Sequence, residues 1–192
     1  KYDKILYLDC DLIVEGDISK LYDIELGNCE VAAVRSEDFR LLSKTKSPIF
    51  LEGYPYNVDN YRTEALGMQV PENYFNAGVL VIDLKKTRQR INQEQVFEIL
   101  HRHNYKYNDQ DVLNILFDGR VKVMDCRWNY MTYIPEQIAK ENVNNRKLYE
   151  DLYREKPCII HYTSAEKPWN TETKVLGDRY WKYRNEMEAI YA

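Results

Sequence analysis

Two carboxylates close to the start of the chain have the spacing of a metal site. Asp9 and Asp11 flank Cys10, and the apolar run at residues 5–9 predicts a buried strand. Side chains two positions apart share one face of a strand, so at the strand end the two carboxylates can converge on one point. Because they would repel each other there unless a cation neutralised them, the pair predicts a site for Mn²⁺ or Mg²⁺. A solvated acidic turn is the alternative.

An imidazole far downstream is the next candidate ligand. His161 follows an apolar run at residues 158–160, and a nitrogen donor beside two carboxylates is a combination that Mn²⁺ accepts. The loop behind it carries the small residue Ser164 and the amine of Lys167, which predict contact with a phosphate group. A purely structural histidine is the alternative. Three further residues are interpreted as packing residues: Trp128, Asn129 and Trp169.

Two other segments place amide and carboxylate side chains at the borders of elements. Asn76, Ala77 and Gly78 precede an apolar run, and the two small residues would let a ligand approach the backbone. A turn into the strand is the alternative there. Residues 108–111, Asn-Asp-Gln-Asp, open a helix. Acidic residues at this place also serve simply as helix caps, which is the role expected of Asp111.

The elements that must position these groups alternate between strands and helices. Apolar runs predict strands at residues 5–9, 30–34, 79–82, 121–124 and 158–160. Helical spacing or polarity predicts helices at residues 83–90, 93–103, 136–155 and 178–191, with another that begins at residue 108. This alternation predicts an α/β domain with a mixed, mainly parallel sheet, in which ligand sites form at strand ends. Residues 35–73 lack periodicity, and such a long irregular segment is typical of a functional or mobile loop.

The composition excludes several classes of function. The length of 192 residues with 30% charged and 44% hydrophobic residues indicates one globular domain. A net charge of -4 argues against a nucleic-acid partner. No apolar run reaches the roughly 20 residues that a membrane span needs. The four cysteines lack the CxxC spacing of zinc sites. From these features we expect a cytoplasmic protein.

Taken in order, the motifs resemble family 8 of the retaining glycosyltransferases, which includes bacterial lipopolysaccharide galactosyltransferases and the glycogenins. The resemblance rests on four segments: residues 2–11, 74–79, 108–111 and 161–169. It implies the GT-A fold, a nucleotide-sugar-binding α/β domain that would occupy residues 1–192, with residues 35–73 as a variable acceptor-side segment. Members of the family begin with a further strand and helix that bind uracil and part of the ribose, and the chain is expected to lack this part.

The resemblance also implies a role for each candidate residue. Asp9, Asp11 and His161 match the protein ligands of a Mn²⁺ ion, with Mg²⁺ as the alternative, that bridges the diphosphate of a UDP-sugar. The backbone near Cys10 would lie against the ribose, and the loop from Ser164 to Lys167 would hold the diphosphate. The donor hexose would be held by Asn76, Ala77, Gly78, Asp109 and Gln110. Asp109 and Gln110 would be the catalytic pair, with Gln110 near the anomeric carbon on the face opposite the leaving group.

The implied reaction moves glucose or galactose from the UDP-sugar to a glycan or glycolipid acceptor of a bacterial cell-surface polysaccharide, with peripheral contact to a membrane. In a retaining enzyme the acceptor hydroxyl ends on the face that UDP leaves. The motifs offer no strongly basic side chain there, which favours a front-face route in which a departing phosphate oxygen takes the proton of the acceptor hydroxyl. Two other functions remain as alternatives to the glycosyltransferase. The first is a phosphohydrolase of the haloacid dehalogenase type, although Ile13 stands where that family wants Thr or Val. The second is a non-catalytic nucleotide-sugar-binding module.

Overall fold

The computed structural model describes residues 2–37, 39, 48–133, 155–171 and 174–191. The chain divides into two compact units, each treated by itself below. The first unit comprises Lys1–Leu8 and Ser19–Met124, and the second comprises Asp9–Ile18 and Asp125–Ala192. The single domain expected over residues 1–192 stays a prediction, and the helix expected over residues 136–155 falls, up to residue 154, outside the described residues.

The strands and helices have the following bounds. The strands are β1 (Lys4–Leu8), β2 (Leu12–Val14), β3 (Val31–Arg35), β4 (Ile49–Leu51), β5 (Tyr54–Tyr56), β6 (Phe75–Asp83), β7 (Val121–Val123), β8 (Tyr130–Met131) and β9 (Ile159–His161). The helices are α1 (Ile18–Tyr22), α2 (Val58–Asn60), α3 (Leu84–Arg90), α4 (Gln93–Arg102), α5 (Asn108–Leu116) and α6 (Gly177–Tyr191). A π-helical turn, Tyr61–Ala65, continues α2. The predicted α/β class is therefore confirmed.

The main sheet of the first unit has the strand order β1-β6-β3-β7. Strand β6 runs antiparallel to both β1 and β3, and only β3 and β7 pair in parallel. The sheet is mixed as predicted, but the expectation that it is mainly parallel is wrong for the described strands. A strand that is buried on both faces has the same apolar run in either direction, so the sequence of β6 does not reveal which way it runs.

The ladder between β6 and β3 contains an irregularity that matters for the site. Ala33 pairs with Leu80, and Arg35 pairs with Phe75, so two steps along β3 correspond to five along β6. Residues 76–79 consequently leave the regular register on this side of β6. Such irregularities free backbone groups from the ladder and are common beside functional sites.

The segment predicted to be irregular contains regular structure where it is described. Strands β4 and β5 form an antiparallel hairpin, and α2 with its π-helical turn follows it. Asn57 begins α2, because its side chain accepts a hydrogen bond from the backbone N–H of Asn60. Tyr61 at the start of the π-helical turn is completely buried, together with Phe39 and Tyr74 of the same aromatic-rich core cluster.

The second unit is built around β9. This strand pairs antiparallel with β2 and parallel with β8. Directly after β2, the backbone N–H groups of Glu15 and Gly16 both donate to the carbonyl of Cys158, which precedes β9. A Cβ atom on Gly16 would lie 2.7 Å from the Cβ of Cys158, so this close approach requires glycine.

Among the described residues, no helix combines the length and the apolar character that crossing a membrane requires. The expected cytoplasmic location and the peripheral membrane contact stay predictions.

Candidate functional site

The pairing of β2 with β9 brings the acidic pair and the imidazole together in the second unit. Asp9 and Asp11 lie in the connection that follows β1 and leads into β2, and His161 is the last residue of β9. Leu12 is paired with His161 in the sheet, and the backbone N–H of Tyr162 donates to the carbonyl of Asp11 at 3.1 Å. Chain positions 150 residues apart therefore become neighbours through one short antiparallel ladder.

The three side chains form a cluster with the geometry of a metal site, called the acidic cluster below. Nε2 of His161 lies 3.3 Å from Oδ1 of Asp11 and 3.7 Å from Oδ2 of Asp9. One ligand atom from each of the three residues lies within 4.8 Å of the other two. The His161 side chain is 4% exposed, whereas those of Asp9 and Asp11 are 36% and 18% exposed. The carboxylates are thus reachable from solvent, while the imidazole is held inside.

The other ring nitrogen of His161 is fixed by an amide. Nδ1 lies 2.8 Å from Oδ1 of Asn129, a fully buried residue in the 3₁₀ turn before β8. Because an amide oxygen only accepts hydrogen bonds, the Nδ1–H group is the donor to Asn129, and Nε2 is the nitrogen whose lone pair can face a cation held by the two carboxylates. This donor set of two carboxylates and one oriented imidazole nitrogen fits a divalent cation such as Mn²⁺.

The interpretation of Asn129 as a packing residue is therefore incomplete. Its side chain does not only fill space but also holds the imidazole of His161. The signal that could have found it is the one used for Asn76, an amide directly at the border of a short apolar strand. The sequence does not show that β8 lies next to β9, so it could not say which histidine Asn129 contacts.

A lysine already neutralises part of the acidic cluster. The ammonium group of Lys167 donates to Oδ2 of Asp11 and to the carbonyl of Tyr162 at 2.6 Å. Burial alone would raise the pKa of Asp11, but its hydrogen bonds with His161 and Lys167 outweigh burial and hold that pKa well below its ordinary value. Asp11 is therefore ionised at neutral pH. The expected contact of Lys167 with a phosphate stays a prediction.

A second lysine lies beside the same loop. Lys174 is 5% exposed, and its ammonium nitrogen lies 3.3 Å from the hydroxyl of Ser164. Ser164 has a φ of 82°, in the left-handed region that non-glycine residues rarely adopt. Nothing in the sequence distinguishes Lys174 from the other lysines. Only the structure shows that its ammonium group lies beside the loop from Ser164 to Lys167, which already carries the ammonium group of Lys167.

The first unit carries the other group of predicted residues, called the amide cluster below. Oε1 of Gln110 accepts hydrogen bonds from Nδ2 of Asn76 at 3.1 Å and from the backbone N–H of Ala77 at 3.2 Å. The N–H of Gly78 donates to Oδ1 of Asn76 at 3.0 Å. The N–H of Ala77 is available to Gln110 because β6 departs there from its register with β3. Asp109 is exposed in the first turn of α5.

Two buried polar residues of α5 support the amide cluster from behind. Asn114 is completely buried, accepts from the N–H of Phe75 at 2.8 Å and donates to the carbonyl of the same residue at 2.9 Å. Asp111 is also completely buried and accepts hydrogen bonds from the hydroxyls of Tyr61 and Tyr74, both at 2.6 Å. The expectation that Asp111 only caps the helix is thus incomplete.

Comparison with solved structures identifies the class of protein. The WbbM bifunctional glycosyltransferase in its apo form superimposes with a TM-score of 0.77 at 29% identity, over 92% of this chain and 31% of that chain. The galactosyltransferase LgtC in complex with donor and acceptor sugar analogues gives a TM-score of 0.69 at 29% identity, over 95% of this chain and 60% of that one. The fold is accordingly the GT-A type of glycosyltransferases.

The family follows from the sequence itself. The model of glycosyl transferase family 8 matches residues 1–173, and the chain belongs to this family. General stress protein A of Bacillus subtilis strain 168 is 30% identical over 186 residues, which is 94% of this chain and 58% of that protein. The lipopolysaccharide 1,2-glucosyltransferase of Escherichia coli K12 is 31% identical over 185 residues, 94% of this chain and 48% of that enzyme. The chain thus spans about half the length of these curated relatives.

Proposed function

We infer that the protein is a hexosyltransferase that moves glucose or galactose from a UDP-sugar to a glycan or glycolipid acceptor in a metal-dependent reaction. The observation that carries this proposal is the convergence of Asp9, Asp11 and His161 within 4.8 Å in a chain of family 8. A lipopolysaccharide glucosyltransferase among its relatives, and the LgtC complex with donor and acceptor sugar analogues, support the choice of substrates.

In this proposal the acidic cluster serves the leaving group. Asp9, Asp11 and His161 would hold Mn²⁺, with Mg²⁺ as the alternative, and Asn129 keeps Nε2 of the imidazole available for it. The bound ion would supply Lewis-acid stabilisation of the negative charge that develops on the departing diphosphate. Lys167 and Lys174 add positive charge beside the loop, where the N–H groups and the hydroxyl of Ser164 can meet phosphate oxygens.

The amide cluster would serve the sugar. Asn76, Asp109 and Gln110 are proposed to hold the hexose, and the carboxylate of Asp109 offsets positive charge that builds on the ring. Gln110 already has fixed hydrogen-bond partners, so little reorganisation is needed when charge develops. A related solved structure is that of an active-site variant of LgtC in which a glutamine is replaced by a glutamate. This supports an active-site role for a glutamine in the family.

The proposed retaining reaction needs no basic side chain, because the departing phosphate can accept the proton of the acceptor. The bond between the anomeric carbon and the phosphate oxygen breaks, and a bond from the acceptor oxygen forms on the same face. The proton of the acceptor hydroxyl passes to the departing phosphate oxygen. Trapping of a covalent glycosyl adduct on Asp109 would contradict this route, because the front-face mechanism forms no bond between protein and sugar.

Binding of UDP in the presence of Mn²⁺ tests the site most directly. Calorimetry should show metal-dependent binding of UDP to the wild-type protein. This binding should be lost in Asp11→Ala, because the variant lacks a carboxylate of the acidic cluster. Asp178→Ala is the matched control, because Asp178 is an exposed carboxylate at the start of α6 in the same unit. Unaltered binding in a folded Asp11→Ala variant would refute the assignment of the site.

Hydrolysis assays separate the proposed enzyme from the two alternatives. A glycosyltransferase should slowly hydrolyse UDP-glucose or UDP-galactose when Mn²⁺ is present and no acceptor is added. A binding module should bind UDP without hydrolysing the sugar nucleotide. A phosphohydrolase should instead release phosphate from simple phosphomonoesters.

A further inference from the structure

A fully buried carboxylate lies behind the amide cluster, and each of its oxygens accepts a hydrogen bond. Oδ1 of Asp111 accepts from the hydroxyl of Tyr74 at 2.6 Å. Oδ2 accepts from the hydroxyl of Tyr61 at 2.6 Å and from the backbone N–H of Tyr107 at 2.8 Å. A buried carboxylate is costly unless its oxygens are satisfied in this way, so the three donors explain why the residue is tolerated inside.

The direction of each hydrogen bond follows from this carboxylate. A tyrosine has one hydroxyl proton, and Tyr74 gives it to Asp111. Toward Gln110 the same hydroxyl oxygen can therefore only accept, and Nε2 of Gln110 lies 3.0 Å from it. The NH₂ group of Gln110 must face Tyr74, which turns Oε1 toward the amide of Asn76 and the N–H of Ala77. The direction of these hydrogen bonds is thus set at both ends, by the buried carboxylate of Asp111 and by the backbone N–H of Ala77.

We propose that Asp111 is a positioning residue that fixes the orientation of the Gln110 amide through the hydroxyl of Tyr74. Without this control a glutamine amide can exchange its oxygen and nitrogen by a rotation of the terminal torsion. That rotation would place NH₂ against the N–H of Ala77, where two donors would oppose each other. This inference rests on the proposed function only in taking Gln110 to contact the donor sugar.

The structure contains a matched control for this proposal. Tyr61 and Tyr74 are both completely or almost completely buried, at 0% and 1% exposure, and both donate to Asp111 at 2.6 Å. Only Tyr74 accepts from Gln110. Tyr61→Phe and Tyr74→Phe therefore each remove one hydroxyl donor from the same carboxylate. In Tyr61→Phe, Oδ2 keeps the backbone N–H of Tyr107, and the backbone N–H of Lys106 loses the hydroxyl to which it donates at 3.3 Å. The two variants differ in whether the amide of Gln110 loses its acceptor.

The first readout is structural and requires no activity. Nuclear magnetic resonance can follow the side-chain NH₂ resonances of Gln110, assigned by their loss in Gln110→Ala, and their Overhauser contacts to the ring protons of Tyr74. We expect these contacts in the wild-type protein and in Tyr61→Phe. In Tyr74→Phe we expect the resonances to shift and the contacts to the ring at position 74 to weaken. Unchanged Gln110 resonances in Tyr74→Phe would overturn the proposal.

The second readout is kinetic. For hydrolysis of the UDP-sugar, Tyr74→Phe should lower kcat by ~10-fold or more with little change in KM for the donor, because misorientation by even a small angle affects reacting groups strongly. Tyr61→Phe should stay within about twofold of the wild-type kcat, since Gln110 keeps its acceptor. Equal losses of kcat in the two variants would indicate a general structural effect and would also overturn the proposal.

Failure of the proposed function would be recognised separately. If the wild-type protein neither binds UDP nor hydrolyses UDP-sugars, the hexosyltransferase proposal fails, and the resonance experiment alone then decides on the role of Asp111. Asp111→Asn gives an additional test in which the side chain keeps its size but can itself donate to Tyr74. It should reproduce the Gln110 resonance changes of Tyr74→Phe, and where it does not fold, the two phenylalanine variants carry the test.

Discussion

A single amide determines which ring nitrogen of His161 faces the two carboxylates. The hydrogen bond between Nδ1 and Asn129 selects one tautomer and one ring orientation. A cation held by the two carboxylates can then meet the lone pair of Nε2. In the proposed function, the affinity of the acidic cluster for a cation would depend on a residue that does not touch the ion.

Replacement of Asn129 by leucine should therefore weaken cation binding. The leucine has a similar volume but leaves Nδ1–H without its acceptor, and we expect the affinity for Mn²⁺ to fall about 10- to 100-fold. Titration calorimetry with Mn²⁺ alone measures this effect. The control is Asn185→Leu on the exposed surface of α6, which should bind like the wild-type protein. An unchanged affinity in folded Asn129→Leu would show that the orientation of the ring is set elsewhere.

The residues of the candidate site could largely be identified from the sequence, whereas the residues that support them could not. Asp9, Asp11 and His161 stand at the ends of apolar runs, and this local pattern indicates a ligand site. The roles of Asn129 and Asp111 depend on which elements become neighbours in space. That information lies in strand pairing and helix packing, which no local pattern encodes.

At the scale of elements, the junction of β2 and β9 depends on a residue without a side chain. Glu15 and Gly16 share one acceptor, the carbonyl of Cys158, and the added methyl group of an alanine at position 16 would meet the Cβ of Cys158 at 2.7 Å. Real Cβ atoms do not approach so closely, and the clash is with the stem of a side chain, which cannot swing away.

Gly16→Ala should accordingly destabilise the fold by about 1–3 kcal/mol, the usual cost of overpacking. Urea denaturation followed by circular dichroism measures the change. Gly177→Ala is a suitable control, because its new methyl group would meet only ordinary contacts at 3.5 and 3.6 Å. That variant should stay within about 0.5 kcal/mol of the wild-type protein. If both alanines had the same small effect, the close approach at Gly16 would be refuted.

The start of α3 has a charge-dependent cap. Asp83 accepts from the backbone N–H of Lys86 at 2.9 Å, and the Lys86 ammonium group lies 3.1 Å from the same carboxylate. Burial would raise the pKa of Asp83, but these interactions with Lys86 outweigh it and hold the pKa below its ordinary value of 3.8. A carboxyl whose pKa is lowered by folding stabilises the protein above its ordinary pKa. This contribution is lost as the pH falls through the lowered value.

The variant Asp83→Asn keeps a capping acceptor but removes the charge. At pH 7 it should be less stable than the wild-type protein by a few tenths to about 1 kcal/mol, and the difference should shrink below pH 3.8. Urea midpoints of the two proteins at pH 7 and near pH 3 provide the comparison. A difference that does not change with pH would mean that the charge at position 83 contributes nothing.

The strands themselves were easier to predict than their directions. Apolar runs located β3, β6 and β9 within a few residues, because strands buried on both faces require such runs. The antiparallel course of β6 between β1 and β3, and its change of register opposite Ala33 and Arg35, could not be predicted. Both depend on connections and pairings over long stretches of chain.

At the scale of the whole molecule, a bound cation should act as a stabilising ligand. Anything that binds the folded chain more tightly than the unfolded chain shifts the unfolding equilibrium, by about 2.7 kcal/mol at a hundredfold excess over Kd. For a chain of 192 residues this corresponds to an increase in Tm of roughly 5–10 °C.

Scanning calorimetry with and without Mn²⁺ tests this expectation. Mn²⁺ should raise the Tm of the wild-type protein, a chelator should reverse the increase, and Asp11→Ala should not respond to the ion. Asp178→Ala should respond as the wild-type protein does. An equal increase in Asp11→Ala would locate the binding of the ion outside the acidic cluster.

The order of the motifs along the whole chain allowed the family to be recognised. The four segments lie between residues 2 and 169, and the family model matches residues 1–173. Each motif alone had a simple structural alternative, and only their succession was specific. The acceptor did not become predictable in this way, because the segment expected to contact it carries no such motif.

The interrupted ladder of β6 has a consequence for how the protein exchanges its amide hydrogens with heavy water. Residues 79–82 are paired with β1 on one side, and residues 80–82 are also paired with β3 on the other, so their amides should be released only by opening of much of the sheet. The backbone N–H groups of Ala77 and Gly78 donate instead to the side chains of Gln110 and Asn76, and each of these hydrogen bonds can break without opening of the sheet. Deuterium should therefore enter first at Ala77 and Gly78, while the rest of the strand stays protiated, and binding of the proposed donor sugar should delay its entry.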